Sequence, residues 1–390
     1  MKILYLSAAI LPSEISHSLS IMRVCQAFTD NGHDVTLTGI APTKDAPDPI
    51  KFYGFKGGFK VIRHLLPFWA KKNPIASRLL LPGLVLGWKT RKLCNQIKPD
   101  IIYSRLTITE LAFVPRDIPI IYEMHSLGPF GISFIHRWAF RWILRRKNFK
   151  RIVVTTNVLA EWLKDRIPDA EITVARLSAE PPVELTQKQI SAFVNDNFQG
   201  HNFKQHVGYT GYLDTEGLRG TDIIIQTAAR MPDIAFHIVG GKPEIVEHWK
   251  KYAEDYNQAG NIFFYGYRNP NEMPYFLGGF DVTLAPLQHR PTKRAPIGKN
   301  MSPLKLPQYM GYGKAIVASD LPAHREVLSE GETALMVRHD DIDAWVSSIQ
   351  SLLDNENKRR AMAKAGKKAY ASEFTPRIRI QKMLSGLPTK

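Results

Sequence analysis

The sequence predicts an α/β protein built as two doubly wound, Rossmann-like domains that face a central cleft. Three observations predict this. The chain has 390 residues, too many for one compact core and suited to two domains of ordinary size. Short apolar runs alternate with stretches of helical periodicity, the pattern of parallel sheets covered on both faces. The alternation breaks once, over the polar stretch 179–205 with its Pro-Pro pair, and then restarts. The expected organisation is an N-terminal domain over 1–180, a linker over 181–205, a C-terminal domain over 206–372 and a tail over 373–390 able to cross back to the first domain. In such sheets ligands bind beyond the carboxyl ends of the strands.

The elements follow in order. KILYLSA (2–8) reads as a buried strand, and HSLSIMRVCQAFTDNG (17–32) as a helix ended by Gly32, a favourable C′ residue. DVTLTGI (34–40), DIIYSR (100–105), IPIIYEMH (118–125) and RIVVTT (151–156) read as further strands. Past the linker, which has room for one short helix, HVGYTGYL (206–213) is a strand ending in a glycine turn. Helices over 219–231 and 243–257 separate it from the strands 233–241 and 261–267. Strands at 280–286, 314–319 and 333–337, helices near 340–353 and 355–372, and a helical tail complete the domain.

Apolar residues at 44% and charged residues at 23% describe a folded globular chain. Two cysteines, Cys25 and Cys94, are too few for a disulfide framework and suit a reducing, cytoplasmic setting. MKILYLSAAILPSE has no long apolar segment of signal-peptide type, and no apolar run is long enough to span a bilayer. The net charge of +16 is uneven: residues 1–180 hold 26 Lys and Arg against 14 Asp and Glu. An electropositive half suits a polyanionic partner, whether nucleic acid, anionic membrane or phosphorylated substrate.

The densest chemistry lies in SPLKLPQYMGYGKAIVASDLPAHREVL (302–328). Ser302 can cap a helix from Pro303 to Tyr312, with Pro303 at its first position. Free N–H groups at such a start attract anions, and Lys305 adds a positive charge one turn in. Gln308 lies on the same face as Lys305. Leu304 and Leu306 pack the helix, and Gly311 and Gly313 end it tightly before the strand.

This segment resembles the nucleotide-binding segment of the retaining glycosyltransferases of family 4, which have the GT-B fold. GYTGYLDTEGLRGTDIII, DIAFHIVGG and NIFFYGY resemble the family's donor-domain strands, and IIYEMHS its YExH strand end. The resemblance covers nearly the whole chain and implies retaining transfer of a hexosyl group from a nucleoside diphosphate sugar to a glycan or lipid-linked glycan. Surface polysaccharide synthesis is the pathway it suggests. It assigns Arg219 and Lys305 to the diphosphate, with help from the backbone at Gly211 and around Ser302–Leu304. Gln308 stands where the family's ribose-binding glutamate stands, and Asn300 where its first motif acid touches the donor sugar. Tyr212 occupies a position that is often arginine. His125 matches the histidine that contacts the transferred sugar. Ser16 and His17, in a loop that replaces the family's glycine-rich one, would border nucleotide or acceptor.

The resemblance implies no metal and no bound cofactor. DDID (340–343) has the look of a metal-binding DxD but reads better as a helix start, where acids suit the dipole. Two basic, aromatic stretches, 68–93 and 134–151, fit either contact with an anionic membrane on its cytoplasmic face or ordinary amphipathic helices with solvated basic sides. Rival functions are a GT-B relative that modifies nucleotide sugars, a non-catalytic partner subunit, and a basic nucleic-acid-binding protein. The last is disfavoured, because no helix-turn-helix, RNA-binding aromatic motif or zinc module is evident.

Overall fold

The computed structural model describes residues 1–13, 16–65, 81–105, 108–125, 134–256, 260–288 and 304–387. The chain divides into two compact units, Met1–Ala175 with Arg379–Lys390, and Arg176–Ile378.

The first unit holds a sheet of β1 (Lys2–Ser7), β2 (Asp34–Ala41), β3 (Lys60–Leu65), β4 (Ile101–Arg105), β5 (Ile120–Met124), β6 (Phe149–Val154) and β7 (Ile172–Val174). Its order is β3-β2-β1-β4-β5-β6-β7, with every pair parallel. Strand β1 shows why the sequence folds this way. Alternate side chains point to opposite faces. Ile3 and Tyr5 join Ile21, Cys25 and Phe28 in one core, while Leu4 and Leu6 join Phe140, Ile143 and Leu159 in the other. Each such apolar side chain contributes about 1.5–3 kcal/mol when fully buried. The C-terminal helix Pro376–Leu384 belongs to the first core through Ile380 and Met383.

The second unit holds β8 (His206–Thr210), β9 (Ala235–Val239), β10 (Ile262–Gly266), β11 (Val282–Ala285), β12 (Ala315–Ser319) and β13 (Leu335–Val337). Its order is β10-β9-β8-β11-β12-β13, again all parallel. Both sheets therefore reverse direction of winding beside their first strand, the doubly wound arrangement whose ligand crevice lies at that reversal.

Several details differ from expectation. Residues 181–205 fall inside the second unit. Their helix, Gln187–Asn197, opens with a capping box between Thr186 and Gln189. It stacks Phe193 on Tyr275 at 5.0 Å. This is the one short helix for which the stretch has room, with Ile190, Phe193 and Val194 as its apolar stripe. Strands β3 and β7 were not anticipated: KVIRHL is interrupted by Arg63 and His64, and β7 has only three residues. The helix of the 302–328 segment runs from Lys305 to Gly311 with Leu304 at its N-cap and no side-chain cap bond. Ser302 and Pro303 lie outside the described residues. Pro307 is tolerated because its missing N–H falls in the first turn. Gly313, at φ 62°, turns the chain into β12.

Candidate functional site

Two polar clusters sit at the carboxyl ends of the two sheets, one in each unit. In the second unit, β8 ends at Gly211, whose φ is 148°. Its amide donates to Val239 at 2.9 Å. A Cβ at Gly240 would lie 1.9 Å from the Gly211 carbonyl oxygen, so the two loops approach as closely as glycines permit. Just beside this turn, the Lys305 ammonium rests 3.6 Å from the centre of the Tyr209 ring. It would be 3.2 Å from a Cβ on Gly211. Tyr209 is itself fixed by donating its hydroxyl proton to the Tyr212 carbonyl at 2.9 Å. Tyr309, from the same helix as Lys305, accepts from the Thr210 amide at 2.9 Å and so ties that helix to β8.

Arg219 precedes the helix Thr221–Ala229. Its Nε lies 3.9 Å from Asp214, and its guanidinium sits 5.7 Å from the exposed Tyr212 ring. Burial pushes the Lys305 ammonium well below the ordinary lysine range, and the Arg219 charge pushes it further. Among the described residues no carboxylate lies within ion-pair range of Lys305. Among the described residues Lys305 thus has no anion beside it, and an anion would restore the lysine charge. His324 closes one side. Its Nδ1 lies 2.7 Å from the Ser319 carbonyl, and it is held at a pKa of about 4, by burial first and with the Lys305 charge adding to it. Gln308 is half-buried on the Lys305 helix, and Leu304 is exposed at its start.

In the first unit the centre is Glu123, buried at the end of β5. Tyr103 donates to its Oε2 at 2.8 Å, and His125 Nε2 lies 2.6 Å from its Oε1. Arg379, from the C-terminal helix, pairs with the same Oε1. Burial alone would raise this carboxyl, but Arg379 and then His125 hold it well below the usual range. Arg105, the last residue of β4, places Nη2 3.1 Å from His125 Nδ1 and reaches Ser20 Oγ at 3.4 Å. Burial lowers the pKa of His125, with Glu123 opposing. His17, in the first turn of the helix Ser16–Asp30, falls to about 4 through burial and then the charge of Arg105.

The structure thus gathers Gly211, Tyr212, Arg219 and Lys305 in one place, and His17 and His125 in another. Asn300 and Ser302 lie outside the described residues, as does the side chain of Ser16. Sequence reasoning passed over Tyr209, Asp214 and His324 in the second unit. In the first it passed over Arg105 and Arg379, and Glu123 appeared only as a letter of YExH. The DDID acids are accounted for. Asp341 accepts from the Ala344 amide at 3.0 Å, Asp343 pairs with Arg230, and Asp340 lies 2.7 Å from Arg338.

Comparison with known proteins places the chain in a family. A phosphatidyl-myo-inositol mannosyltransferase of Mycolicibacterium smegmatis is 31% identical over 364 residues, covering 90% of this chain and 83% of the relative. The chain belongs to the group 1 glycosyltransferases. The model for glycosyl transferases group 1 matches residues 202–369 of this glycosyltransferase, and that for glycosyltransferase family 4 matches 18–176. Among solved structures, a glycosyltransferase from Rickettsia africae superposes with a TM-score of 0.75 at 13% identity, covering 99% of each chain. The Anabaena protein HepE, in complex with UDP-glucose, gives 0.68 at 16% identity, also over 99% of each chain. These likenesses show that the glycosyltransferase has the GT-B fold of two Rossmann-like units.

Proposed function

We propose that this glycosyltransferase transfers a hexosyl group, with retention at the anomeric carbon, from a nucleoside diphosphate sugar to a lipid-linked or glycan acceptor. The observation that carries the donor half is the desolvated Lys305 ammonium beside Gly211 and Arg219, without a carboxylate of its own. A diphosphate supplies the missing charge. As the glycosidic bond breaks, negative charge grows on the leaving phosphate, and Lys305 and Arg219 are placed to stabilise it. Asp214, the acid of this cluster, is engaged by Arg219. Retention is therefore read as front-face delivery of the acceptor, with the leaving phosphate taking up its proton. The resemblance to family 4 supports the same outcome. Gln308 would meet the ribose hydroxyls as both donor and acceptor, and Asn300 the donor sugar. No metal or cofactor is required by this reading.

A lipid-borne acceptor is favoured by the relative's name, which specifies phosphatidyl-myo-inositol. Among the described residues no helix is long and apolar enough to cross a membrane. The helix Phe134–Leu144 buries Phe140 and Ile143 yet leaves Trp138 63% and Trp142 43% exposed, and Trp88 is 65% exposed on Leu81–Ile97. Exposed tryptophans beside Arg141, Arg145 and Lys92 suit peripheral contact with an anionic cytoplasmic leaflet. Of the two basic stretches, residues 66–80 and the Arg137 side chain lie outside the described residues.

The test is a thermal-shift panel with UDP, GDP, ADP and CMP and their sugar conjugates, run on the wild type and on Lys305→Ala. A shift with one nucleotide, lost in the variant, is the expected result. No shift with any nucleotide would favour a non-catalytic relative, the reading that Gln308 in place of the acid also suits.

A further inference from the structure

His125 is caught between a pure donor and a pure acceptor. A guanidinium offers only N–H groups, so the His125 Nδ1 that faces Arg105 must present its lone pair. An ionised carboxylate only accepts, so the Nε2 that faces Glu123 must carry the proton. One neutral tautomer satisfies both contacts. An imidazolium would point an N–H at the Arg105 guanidinium. The other neutral tautomer would fail at both ends.

Burial comes first in keeping His125 neutral, and Arg379 offsets the opposing pull of the buried Glu123. The Arg379 side chain reaches Glu123 across 256 positions of sequence and is buried with it. Arg379 and Glu123 cancel each other's charge, so the carboxylate does not need an imidazolium. Without Arg379, the buried Glu123 would draw a second proton onto His125. The positive charge left over is that of Arg105. It is 8% exposed, and among the described residues no carboxylate lies within ion-pair range of it. Its hydrogen-bond partners are neutral, His125 and Ser20. A buried cation held only by neutral groups awaits an anion. Among the described residues, the other charged or titratable groups facing His125 are His17, Glu123 and Arg379.

We infer that Arg379 is a positioning residue: through Glu123 it holds His125 as the Nε2–H tautomer, whose Nδ1 aims Arg105 at a phosphate of the bound substrate. This rests on the reading of the chain as a transferase of phosphate-bearing substrates. That phosphate comes either from the nucleotide donor or from a lipid acceptor.

The test uses full-length protein labelled with 15N-histidine. In the wild type, His125 should show the neutral Nε2–H pattern at neutral pH. Arg379→Met should convert it to the doubly protonated form, and Arg379→Lys should restore the wild-type pattern. Should Arg379→Met fold poorly, Arg379→Gln keeps an amide donor to Glu123 but removes the charge, and there His125 should again be doubly protonated. Addition of UDP or GDP in one arm, and of phosphatidylinositol vesicles in the other, should shift the His125 signal in one arm. Arg105→Gln should weaken that response about tenfold, the effect of one lost charge-assisted hydrogen bond. A wild-type His125 that is Nδ1-protonated or charged overturns the inference, as does a folded Arg379→Met with an unchanged tautomer. A response in neither arm overturns the assignment of Arg105 to phosphate. Nucleotide stabilisation through Lys305 is read separately, so its loss would count against the transferase reading and leave the tautomer result standing.

Discussion

The two clusters balance their cations differently. In the second unit, Lys305 lies on an aromatic face with Arg219 near it, and Asp214, the acid of that cluster, is 3.9 Å from Arg219. In the first, Glu123 gathers Tyr103, His125 and Arg379 around one carboxylate. A buried charge costs several kcal/mol unless paired. In the first unit Arg379 meets that cost for Glu123, while among the described residues Arg105 beside them has only neutral partners. In the second, no carboxylate among the described residues lies within ion-pair range of Lys305 to do the same.

The largest effect expected from this contrast is at Glu123. Glu123→Ala leaves Arg379 buried without a partner and should destabilise the protein by about 3–5 kcal/mol, read by urea unfolding without ligand. A loss near zero would mean that the pair is not buried in solution. Lys305→Ala should do the opposite. It should leave the free protein as stable as the wild type or more so, while removing the roughly 2.7 kcal/mol of stabilisation that a nucleotide at 100 times its Kd confers.

The same lysine sets a pH dependence. Its ammonium is disfavoured in the free protein and needed in the complex, so binding takes up a proton. Nucleotide affinity should therefore fall as pH rises through the depressed lysine pKa. Lys305→Arg, charged throughout, should flatten the profile measured by calorimetry. A flat wild-type profile would show that Lys305 is already charged without ligand.

Smaller effects probe the frame of the donor cluster. Gly240→Ala places a methyl 1.9 Å from the Gly211 carbonyl oxygen. It should cost about 1–3 kcal/mol of stability and weaken nucleotide binding with it. Loss of stability with unchanged binding would detach the loop from the site. Gln308→Glu should have the mildest consequence, tightening nucleotide binding by about 1 kcal/mol as a charge-assisted bond replaces a neutral one. Equal affinities would place Gln308 away from the ribose.

The sequence by itself determined all strands but β3 and β7 and singled out the residues around Lys305. Runs such as KILYLS and AIVAS are short and apolar because each strand is covered on both faces, a demand met residue by residue. Lys305 was singled out by its place one turn into a helix, and Arg219 and Gly211 only by the resemblance to family 4. Only the tertiary structure decided the strand orders, the addition of the edge strands β3 and β7, and the inclusion of 181–205 in the second unit. It alone decided the role of Arg379. In FTPRIRI, Arg377 and Arg379 look alike, yet one is exposed and the other is buried against Glu123. Helical periodicity says that the two lie on different faces, but not which face meets a carboxylate. That depends on where a helix from the end of the chain packs, and packing is set by the shape of a core assembled from distant segments.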